Sequence, residues 1–424
     1  MSDGSLLGEP RTTAAPFAPT TARRLSGTAV ATLTSEVSRH PGPKRVLVVA
    51  GSPEVTDFVL DDLMPADRLV LWATDAGFAA ALKADLAGAR RRDAGRVTVV
   101  TEGSEIDEES IDVAVVATPL TGDADSAHEA LDRYRSLLRA DGVLSVATGA
   151  SPANGGGAAQ ALQEAAAAYG VRSDLVVRNR PPLRVHHLRF SPADPALAER
   201  LEPAYSTSHV PVTRRMGIDS NGVAAAGIFA GLAVLTRMVR PRSKAWLVPA
   251  VAALPVAAFF RDPQRITPND PDAVVAASDG VVLSVERVKD DRFGSEEWLR
   301  VAVFLSVLDV HVNRSPVAGR VVDIICEEGG YAMAQSAAAE HNVAQYTVLE
   351  TSRGRAVVAQ RTGLIARRIV NRARIGSLLA RGERYGLIRF GSRTDVYLPA
   401  DVAEPMVAPG DRVIGAETVI ARYL

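Results

Sequence analysis

Short, continuous apolar runs follow one another through the N-terminal part of the chain, separated by stretches with helical periodicity. The runs that predict strands are residues 44–52, 68–75, 96–104, 111–120 and 141–149. None of them alternates between apolar and polar positions, which is typical of parallel strands covered on both faces. Strands that alternate with helices, such as the one expected over residues 124–140, predict an open parallel α/β sheet.

Two apolar runs without a single charge follow at residues 221–236 and 245–260. Each run is shorter than the roughly 20 residues that a helix needs to cross a hydrocarbon core. Cations crowd the connection and both flanks: Arg237, Arg240, Arg242, Lys244, Arg214, Arg215, Arg261 and Arg265. A buried hairpin in a soluble domain is the alternative, but cations at both ends suit anionic headgroups. We expect a helical hairpin that attaches to an anionic membrane surface.

From residue 259 onward the pattern changes to short alternating segments with turn residues about every ten positions. This pattern predicts a mostly-β domain, a barrel-like sandwich. The predicted domains are a disordered tail (1–42), an α/β domain (43–207), a linker with the hairpin (208–258) and the β domain (259–424). The first residues are rich in Ser, Thr, Pro and Ala, with no apolar core after a charged start, so we interpret them as disordered and not as a signal peptide.

Composition excludes several classes of function. The 424 residues carry a net charge of −1, so no overall field favours nucleic acid, and none is expected as a partner. Cys326 is the single cysteine, which excludes a disulfide framework and a multi-cysteine zinc site. No metal site is predicted.

The order of elements in the α/β domain resembles a class I methyltransferase, and "LLRADGVLSV" (137–146) resembles that family's helix-turn-strand element. Asp75 ends the second predicted strand, where such folds bind a ribose. However, "AGSPEVTDF" (50–58) offers one glycine for close approach to a cofactor, and "ATPL" (117–120) lacks the signature of an amino-methyltransferase. We interpret the domain as degenerate and non-catalytic. A working methyltransferase and a domain that binds a nucleotide-like effector remain the alternatives.

Six motifs in the β domain occur in the order found in one known family. They are "FFRDPQR" (259–265), "SDGVV" (278–282), "FLSVLDVHVNRSPVAG" (304–319), "EHN" (340–342), "TGLIARRIV" (362–370) and "GERYGLIRFGSRTDVYLP" (382–399). The region from 259 to 424 therefore resembles the phosphatidylserine decarboxylase family in its short bacterial and archaeal form. The resemblance implies an enzyme of the cell membrane, peripheral or monotopic on the cytoplasmic side, that converts phosphatidylserine to phosphatidylethanolamine.

The resemblance also implies a proenzyme that cuts its own backbone between Gly391 and Ser392. Ser392 then becomes a covalent pyruvoyl group, the cofactor, which forms a Schiff base with the substrate's amine. Gly391 suits this chemistry because a residue without a Cβ leaves its carbonyl open to attack. The products would be a long chain ending at Gly391 and a short chain of the 33 residues from Ser392 to Leu424, held together as a heterodimer.

A hydroxyl needs a base to become nucleophilic, usually an imidazole oriented by a carboxylate. By the resemblance, His311 is the catalytic base and Asp279 orients it. The longer family members have two histidines three residues apart, and the second position here is Arg314. Two alternatives follow: one imidazole serves both self-cleavage and decarboxylation, or His341 shares the work.

Other functions stay open at the level of sequence. A pyruvoyl decarboxylase for another amino-acid headgroup, or for a soluble amino acid, would use the same motifs. "VAPGDRVIGAETVIA" (407–421) suggests a biotinyl or lipoyl carrier, but that module needs a lysine at a hairpin tip, and the only lysine after Lys244 is Lys289, outside such a tip. A non-catalytic membrane scaffold would leave Gly391 and Ser392 unexplained.

Overall fold

The computed structural model describes residues 25–49, 52–73, 75–88, 90–364, 368–389 and 392–424; for residues 152–155 it describes the backbone alone. The chain divides into two compact units, one formed mainly by residues 42–169 and 175–191, the other mainly by residues 192–424.

The first unit is an open sheet with helices on both faces. Its strands are β1 (Arg45–Val49), β2 (Arg68–Trp72), β3 (Val97–Val100), β4 (Ile111–Val116), β5 (Leu138–Gly149), β6 (Gly170–Val176) and β7 (Leu183–Leu188). Its helices are α1 (Gly27–Leu33), α2 (Ser35–Arg39), α3 (Pro53–Asp62), α4 (Ala76–Ala87), α5 (Ala124–Leu137) and α6 (Pro152–Tyr169). The strand order is β3-β2-β1-β4-β5-β7-β6, and β7 runs antiparallel to β5. This arrangement confirms the predicted methyltransferase-like α/β sheet.

Two details of this unit differ from the sequence prediction. Residues 27–39, expected in the disordered tail, form α1 and α2, because Val30, Leu33 and Val37 pack into the core on one face of the sheet. Asp75 is the N-cap of α4, with its carboxylate accepting the backbone N–H of Phe78 at 2.6 Å. The glycine loop after β1, at residues 50 and 51, lies outside the described residues.

The second unit is mostly antiparallel β structure. Its helices are α7 (Pro195–Arg200), α8 (Ser220–Val239) and α9 (Leu247–Phe259). Its strands are β8 (His209–Pro211), β9 (Met216–Asp219), β10 (Arg261–Pro263), β11 (Ala273–Val275), β12 (Gly280–Lys289), β13 (Glu297–Leu305), β14 (Val312–Arg314), β15 (Gly319–Glu327), β16 (Ala344–Thr351), β17 (Gly354–Arg361), β18 (Ile369–Asn371), β19 (Leu378–Leu379), β20 (Arg384–Ile388), β21 (Ser392–Pro399), β22 (Ala403–Pro405), β23 (Arg412–Val413) and β24 (Val419–Tyr423). The prediction of a mostly-β domain is confirmed.

The strand β21 lies inside an eight-stranded sheet of order β19-β15-β16-β17-β21-β13-β12-β23. Because side chains alternate along a strand, β21 contributes to two cores. Val396 and Leu398 pack into the larger apolar cluster, and Tyr397 joins Trp298 and Tyr346 on the opposite face. A smaller sheet, β14-β20-β18, lies in the same unit.

The apolar hairpin consists of α8 and α9, which pack against each other. Within the described residues, α8 is the one helix long and apolar enough to cross a membrane. Its 20 residues exceed the predicted run, since the helix continues to Val239 and ends just before Pro241. It is about 30 Å long, whereas the 13 residues of α9 reach about 20 Å. The large apolar side chains that are at least 46% exposed on the hairpin include Ile228, Leu232, Val234, Leu235, Met238, Val239, Val248, Val251 and Leu254.

Candidate active site

Two pairs of strands bring His311 and Ser392 to the same corner of the second unit. In the large sheet, Leu305 at the end of β13 is the register partner of Ser392 at the start of β21. In the small sheet, Ile388 at the end of β20 donates its N–H to the carbonyl oxygen of His311 at 3.3 Å. The chain joins these pairs by two short segments, residues 306–310 and 389–391. His311 and Ser392, the predicted base and nucleophile, each directly follow one of these two segments.

Ser392 is fully buried, and its Oγ has no hydrogen-bond partner among the described residues. Alternation along β21 points its side chain to the same face as Thr394 and Val396, into the larger core. A buried hydroxyl without a partner carries a desolvation penalty of about 1–3 kcal/mol. Gly391, the other half of the predicted cleavage site, lies outside the described residues.

The imidazole of His311 is buried and presents one free nitrogen. Its Nδ1 lies 2.9 Å from the carbonyl oxygen of Asp309, which can only accept, so Nδ1 carries the proton. Its Nε2 has a lone pair and no partner among the described residues. Burial lowers the pKa of His311 to about 4, against a smaller opposite effect of the Asp309 carbonyl. The ring is therefore neutral at pH 7 and can accept a proton, and it packs against Phe259 with ring centroids 4.2 Å apart.

Asp279 lies in the turn before β12 and binds Arg265. Its two carboxylate oxygens accept from one guanidinium nitrogen at 2.8 and 2.7 Å, and Oδ1 also accepts the N–H of Gly415 at 2.8 Å. None of these contacts joins Asp279 to His311, whose orientation comes from the backbone of Asp309 instead. The orienting role of Asp279 stays a prediction.

The turn that carries Asp279 is nevertheless held close to the strand of Ser392. The hydroxyls of Ser278 and Thr394 lie 2.8 Å apart, and both side chains are fully buried. A Cβ on Gly280 would lie 2.1 Å from the carbonyl oxygen of Phe304, so only glycine permits this approach of β12 to β13. The "SDG" motif thus packs the turn against the sheet.

His341 is exposed and ends a 3₁₀ turn over Ala337–His341. The neighbouring Asn342 is buried and fastens the segment, donating to the carbonyl oxygens of Ala332 and Thr362 at 2.9 and 2.8 Å. The structure therefore gives the "EHN" motif a clear packing role through its asparagine, and a catalytic role of His341 stays a prediction.

The C-terminal part of the chain is similar to known proteins. The family model for phosphatidylserine decarboxylase matches residues 253–421. A phosphatidylserine decarboxylase proenzyme of Geotalea uraniireducens is 48% identical over 182 residues, 42% of this chain and 84% of that protein. The proenzyme of Symbiobacterium thermophilum is 45% identical over 214 residues, 49% of this chain and 97% of that protein.

The chain belongs to the phosphatidylserine decarboxylase family. It is a decarboxylase, a carboxy-lyase of phospholipid biosynthesis whose substrate is phosphatidylserine.

The first unit of this decarboxylase has its own structural likenesses. A precorrin-6y C5,15-methyltransferase of Geobacter metallireducens matches with a TM-score of 0.30 and 15% identity, covering 40% of this chain and 91% of that one. A spermidine synthase of Thermotoga maritima matches with a TM-score of 0.29 and 17% identity, covering 41% and 61%. The strand order, and not these low scores, carries the assignment of the fold.

Sequence reasoning missed a buried ionic cluster on the far face of the decarboxylase strand β21. Asp395 is fully buried between Arg361 at 2.8 Å and Arg393 at 2.5 Å, and Arg393 also pairs with Glu340 at 2.8 Å. Burial raises the pKa of Asp395, but the two guanidinium groups outweigh it and hold that pKa below its usual value. The cluster fixes the residue that follows Ser392. The only signal was the opposite charges of Arg393 and Asp395 two positions apart, on one face of a strand.

Arg314, at the position of the family's second histidine, has a structural role in this decarboxylase. Its guanidinium binds Asp262 at 3.0 Å and the carbonyl oxygens of Pro263 and Gly382 at 2.9 and 3.1 Å. Burial lowers the pKa of Arg314 to about 10, so the group stays charged at pH 7. It ties the "FFRDPQR" segment to β14 and cannot act as a base.

A second missed feature is a buried amide pair facing the same interior as Ser392. Gln360 is the register partner of Thr394 in β21, and its amide donates to Oδ1 of Asn313 at 2.8 Å. Within the described residues, Nδ2 of Asn313 and Oε1 of Gln360 have no other partner. This interior therefore holds free hydrogen-bonding groups near Ser392, as a polar reaction pocket requires.

Proposed function

We propose that the chain is a proenzyme that cuts itself between Gly391 and Ser392, and that the resulting pyruvoyl group decarboxylates phosphatidylserine to phosphatidylethanolamine. One observation carries the proposal: Ser392 Oγ and His311 Nε2 are both buried, both without a partner among the described residues, and placed at one corner.

Self-cleavage begins when Ser392 Oγ attacks the carbonyl carbon of residue 391 and His311 Nε2 takes the hydroxyl proton. A C–O bond forms, the peptide C–N bond breaks, and an ester with a free amine at position 392 results. Removal of the Cα proton then expels the new C-terminal carboxylate of Gly391 and leaves dehydroalanine. Water hydrolyses this group to the pyruvoyl and ammonia. A neutral, buried imidazole is the form of histidine that the first step needs.

The residues present fit a pyruvoyl group, because Ser392 starts inside a closed, mostly apolar interior with free polar atoms nearby. When formed, the group supplies a carbonyl that condenses with the substrate's amine and an electron sink for the loss of CO₂. His311 Nε2, which carries no proton at rest, takes one up from water and delivers it to the carbon that loses the carboxylate. Phe259 covers the ring and excludes water from that transfer.

The two chains remain one heterodimer after cleavage. The short chain would start with β21, which pairs along its length with β13 on one side and with β17 on the other. It also includes β24, which pairs with β11 of the long chain. Loss of one peptide bond leaves these ladders and the shared core intact, so dissociation would require unfolding.

The exposed apolar hairpin favours a lipid substrate over a soluble amino acid. We propose that it enters only the cytoplasmic leaflet, with its cations at anionic headgroups. Two observations support this arrangement: α9 is too short to cross, and the connection carries Arg237, Arg240, Arg242 and Lys244, which a spanning hairpin would place outside against the positive-inside rule. The 20-residue length of α8 alone would permit a span.

For the first unit we propose a degenerate, non-catalytic methyltransferase-like domain. The single glycine of the loop after β1 limits the approach of backbone to a nucleotide cofactor. Asp75, the acid expected at a ribose, already caps α4. Apart from the tail, in which residues 27–39 are helical, the domain boundaries given from the sequence remain part of this proposal.

Replacement of the nucleophile tests the proposed function. Purified wild-type protein should run as two chains on a denaturing gel, and Ser392→Ala should run as one full-length, inactive chain. Ser284→Ala, which removes an exposed hydroxyl that donates to Glu286, is the matched control and should still be cut. Normal processing of Ser392→Ala would overturn the mechanism.

A further inference from the structure

Two neighbouring arginines near Ser392 have no acidic partner among the described residues. Arg389 is three residues before Ser392, and its backbone N–H donates to the backbone carbonyl oxygen of Arg368 at 3.3 Å. Burial, and then the charge of Arg368, lower the pKa of Arg389. Like charges side by side without a carboxylate favour an anion between them.

The absence of an acid here contrasts with the rest of the unit. The buried and half-buried arginines that have a carboxylate within 3.0 Å include Arg265, Arg300, Arg314, Arg361, Arg372, Arg384 and Arg393. Asp219 is the acid that acts on Arg389, but both of its oxygens bind Arg372, at 3.0 and 2.8 Å. The adjoining residues 365–367 and 390–391, which the structure does not describe, contain no acid in the sequence.

Arg389 is held in place by contacts that leave its charge unneutralised. One terminal nitrogen donates to Oδ1 of Asn221, in the first turn of α8, at 2.8 Å. The guanidinium lies over the ring of Phe260, 5.9 Å from the centroid. Its Nε is buried and has no partner within the described residues. The group is thus preorganised at the foot of the hairpin, with donors to spare.

Arg261 supplies a third cation, next in the chain to Phe260. Its guanidinium donates to the carbonyl oxygens of Leu308 and Ala258, and no acid binds it in the described part of the chain. Its positive charge also acts on His311. In the described part of the chain, the proposed base therefore has one cation without an acid bonded to it nearby, and the proposed nucleophile has another three residues before it.

We propose that Arg389, Arg368 and Arg261 bind the phosphodiester of the lipid substrate. Only a few covalent bonds separate the phosphorus of phosphatidylserine from its reacting amine, and three residues span at most about 10 Å between Arg389 and Ser392. Guanidinium groups match the geometry of phosphate oxygens. The inference rests on the proposed role of Ser392.

Of the two anionic groups of the substrate, the phosphodiester and not the carboxylate suits these arginines, because the charge of the phosphodiester does not change during the reaction. A cation on the departing carboxylate would stabilise the ground state and slow the loss of CO₂. A cation on the phosphate stabilises substrate and transition state equally, which lowers KM and leaves kcat unchanged. The subsite would thus select serine carried on a phosphate over free serine.

Kinetics with a soluble substrate test this subsite. Dibutanoyl phosphatidylserine, kept below its micelle concentration, removes any effect of membrane docking. Arg389→Gln should be cut into two chains and should raise KM by about ten- to a hundredfold, with kcat within about threefold of wild type, since a charge-assisted hydrogen bond is lost. Arg389→Lys should recover part of the loss, and Arg368→Gln, altered at an exposed position, should also raise KM.

Arg355→Gln is the matched control. Arg355 is exposed and lies near the start of β17, whereas the end of β17 lies beside Ser392, about 23 Å away along the strand. The Arg355→Gln protein should therefore have the KM of wild type. Inorganic phosphate should inhibit wild type competitively and Arg389→Gln more weakly. An unchanged KM in Arg368→Gln and Arg389→Gln, a loss confined to kcat, or a defect seen only on vesicles would overturn the subsite. Failure of wild type to self-cleave would instead refute the function of Ser392.

Discussion

The protonation of His311 gives a quantitative prediction. Its pKa is lowered from 6.5 to about 4, mainly by burial. A difference of about 2.5 units corresponds to about 3 kcal/mol between the charged and neutral forms. At pH 7 the imidazole is therefore neutral in nearly every molecule. The neutral base that self-cleavage needs should persist well below the pH at which an ordinary histidine becomes charged.

The sign of the effect on stability follows from the same shift. The folded-state pKa is below that of the unfolded chain, so the unfolded chain binds the proton more readily. The contribution of neutral His311 is fully present above pH 6.5 and is lost as the pH falls from 6.5 toward 4. Acid should thus destabilise the folded protein by up to about 3 kcal/mol through this one residue.

Histidine NMR measures this pKa directly. The uncut Ser392→Ala protein, labelled at its 7 histidines, gives one ring signal that disappears in a further His311→Asn variant. That signal should titrate near pH 4, and its shifts at pH 7 should show the tautomer protonated at Nδ1. A midpoint near 6.5, or the other tautomer, would refute the proposed base. His311→Ala in the unmodified protein should lose decarboxylation, and wild-type turnover would transfer the role to His341.

Three further predictions concern the rest of the chain. Asp395→Asn should lower the unfolding free energy by about 3–5 kcal/mol in denaturant melts, because it removes the carboxylate that Arg361 and Arg393 share in the interior. Glu286→Gln, at an exposed ion pair, is the control and should lower it by less than about 1 kcal/mol. Equal losses in the two variants would contradict the role of the buried cluster. Deletion of residues 1–207 should leave decarboxylation largely intact, and calorimetry should detect little or no S-adenosylmethionine binding, so micromolar affinity would refute a degenerate domain. A Ser243→Cys protein in a Cys326→Ser background should react with an impermeant maleimide only after cell lysis, and labelling of intact cells would mean that the hairpin spans the membrane.

The corner of His311 and Ser392 could be anticipated because motif order identifies both residues. The burial of Ser392 Oγ and His311 Nε2 without hydrogen-bond partners could not be anticipated, because it depends on the pairing of strands far apart in sequence. One example is the pairing of Leu305 with Ser392. The partner of Asp279 was missed for the same reason. The motif suggested an imidazole, and the fold places the carboxylate on Arg265.

The ionic cluster of β21 shows where pattern reasoning fails. Arg393 and Asp395 alternate with Thr394 and Val396, which is the pattern of a strand with one face in water. Here Phe293, Trp298 and Tyr346 form a buried cluster with Tyr397 on that face, so the charges pair with each other and with Arg361. The length of α8 was underestimated because the apolar run stops at Arg237, whereas the helix continues until Pro241 prevents it.

The intact masses of the purified wild-type chains test the central claim most directly. Self-cleavage predicts two polypeptides, one ending at Gly391 and one of 33 residues whose mass is that of residues 392–424 with a pyruvoyl group in place of the N-terminal serine and its amine. The short chain should resist N-terminal sequencing until the carbonyl is reductively aminated. A single chain of 424 residues in active protein, or a short chain that begins with an unmodified serine, would contradict it.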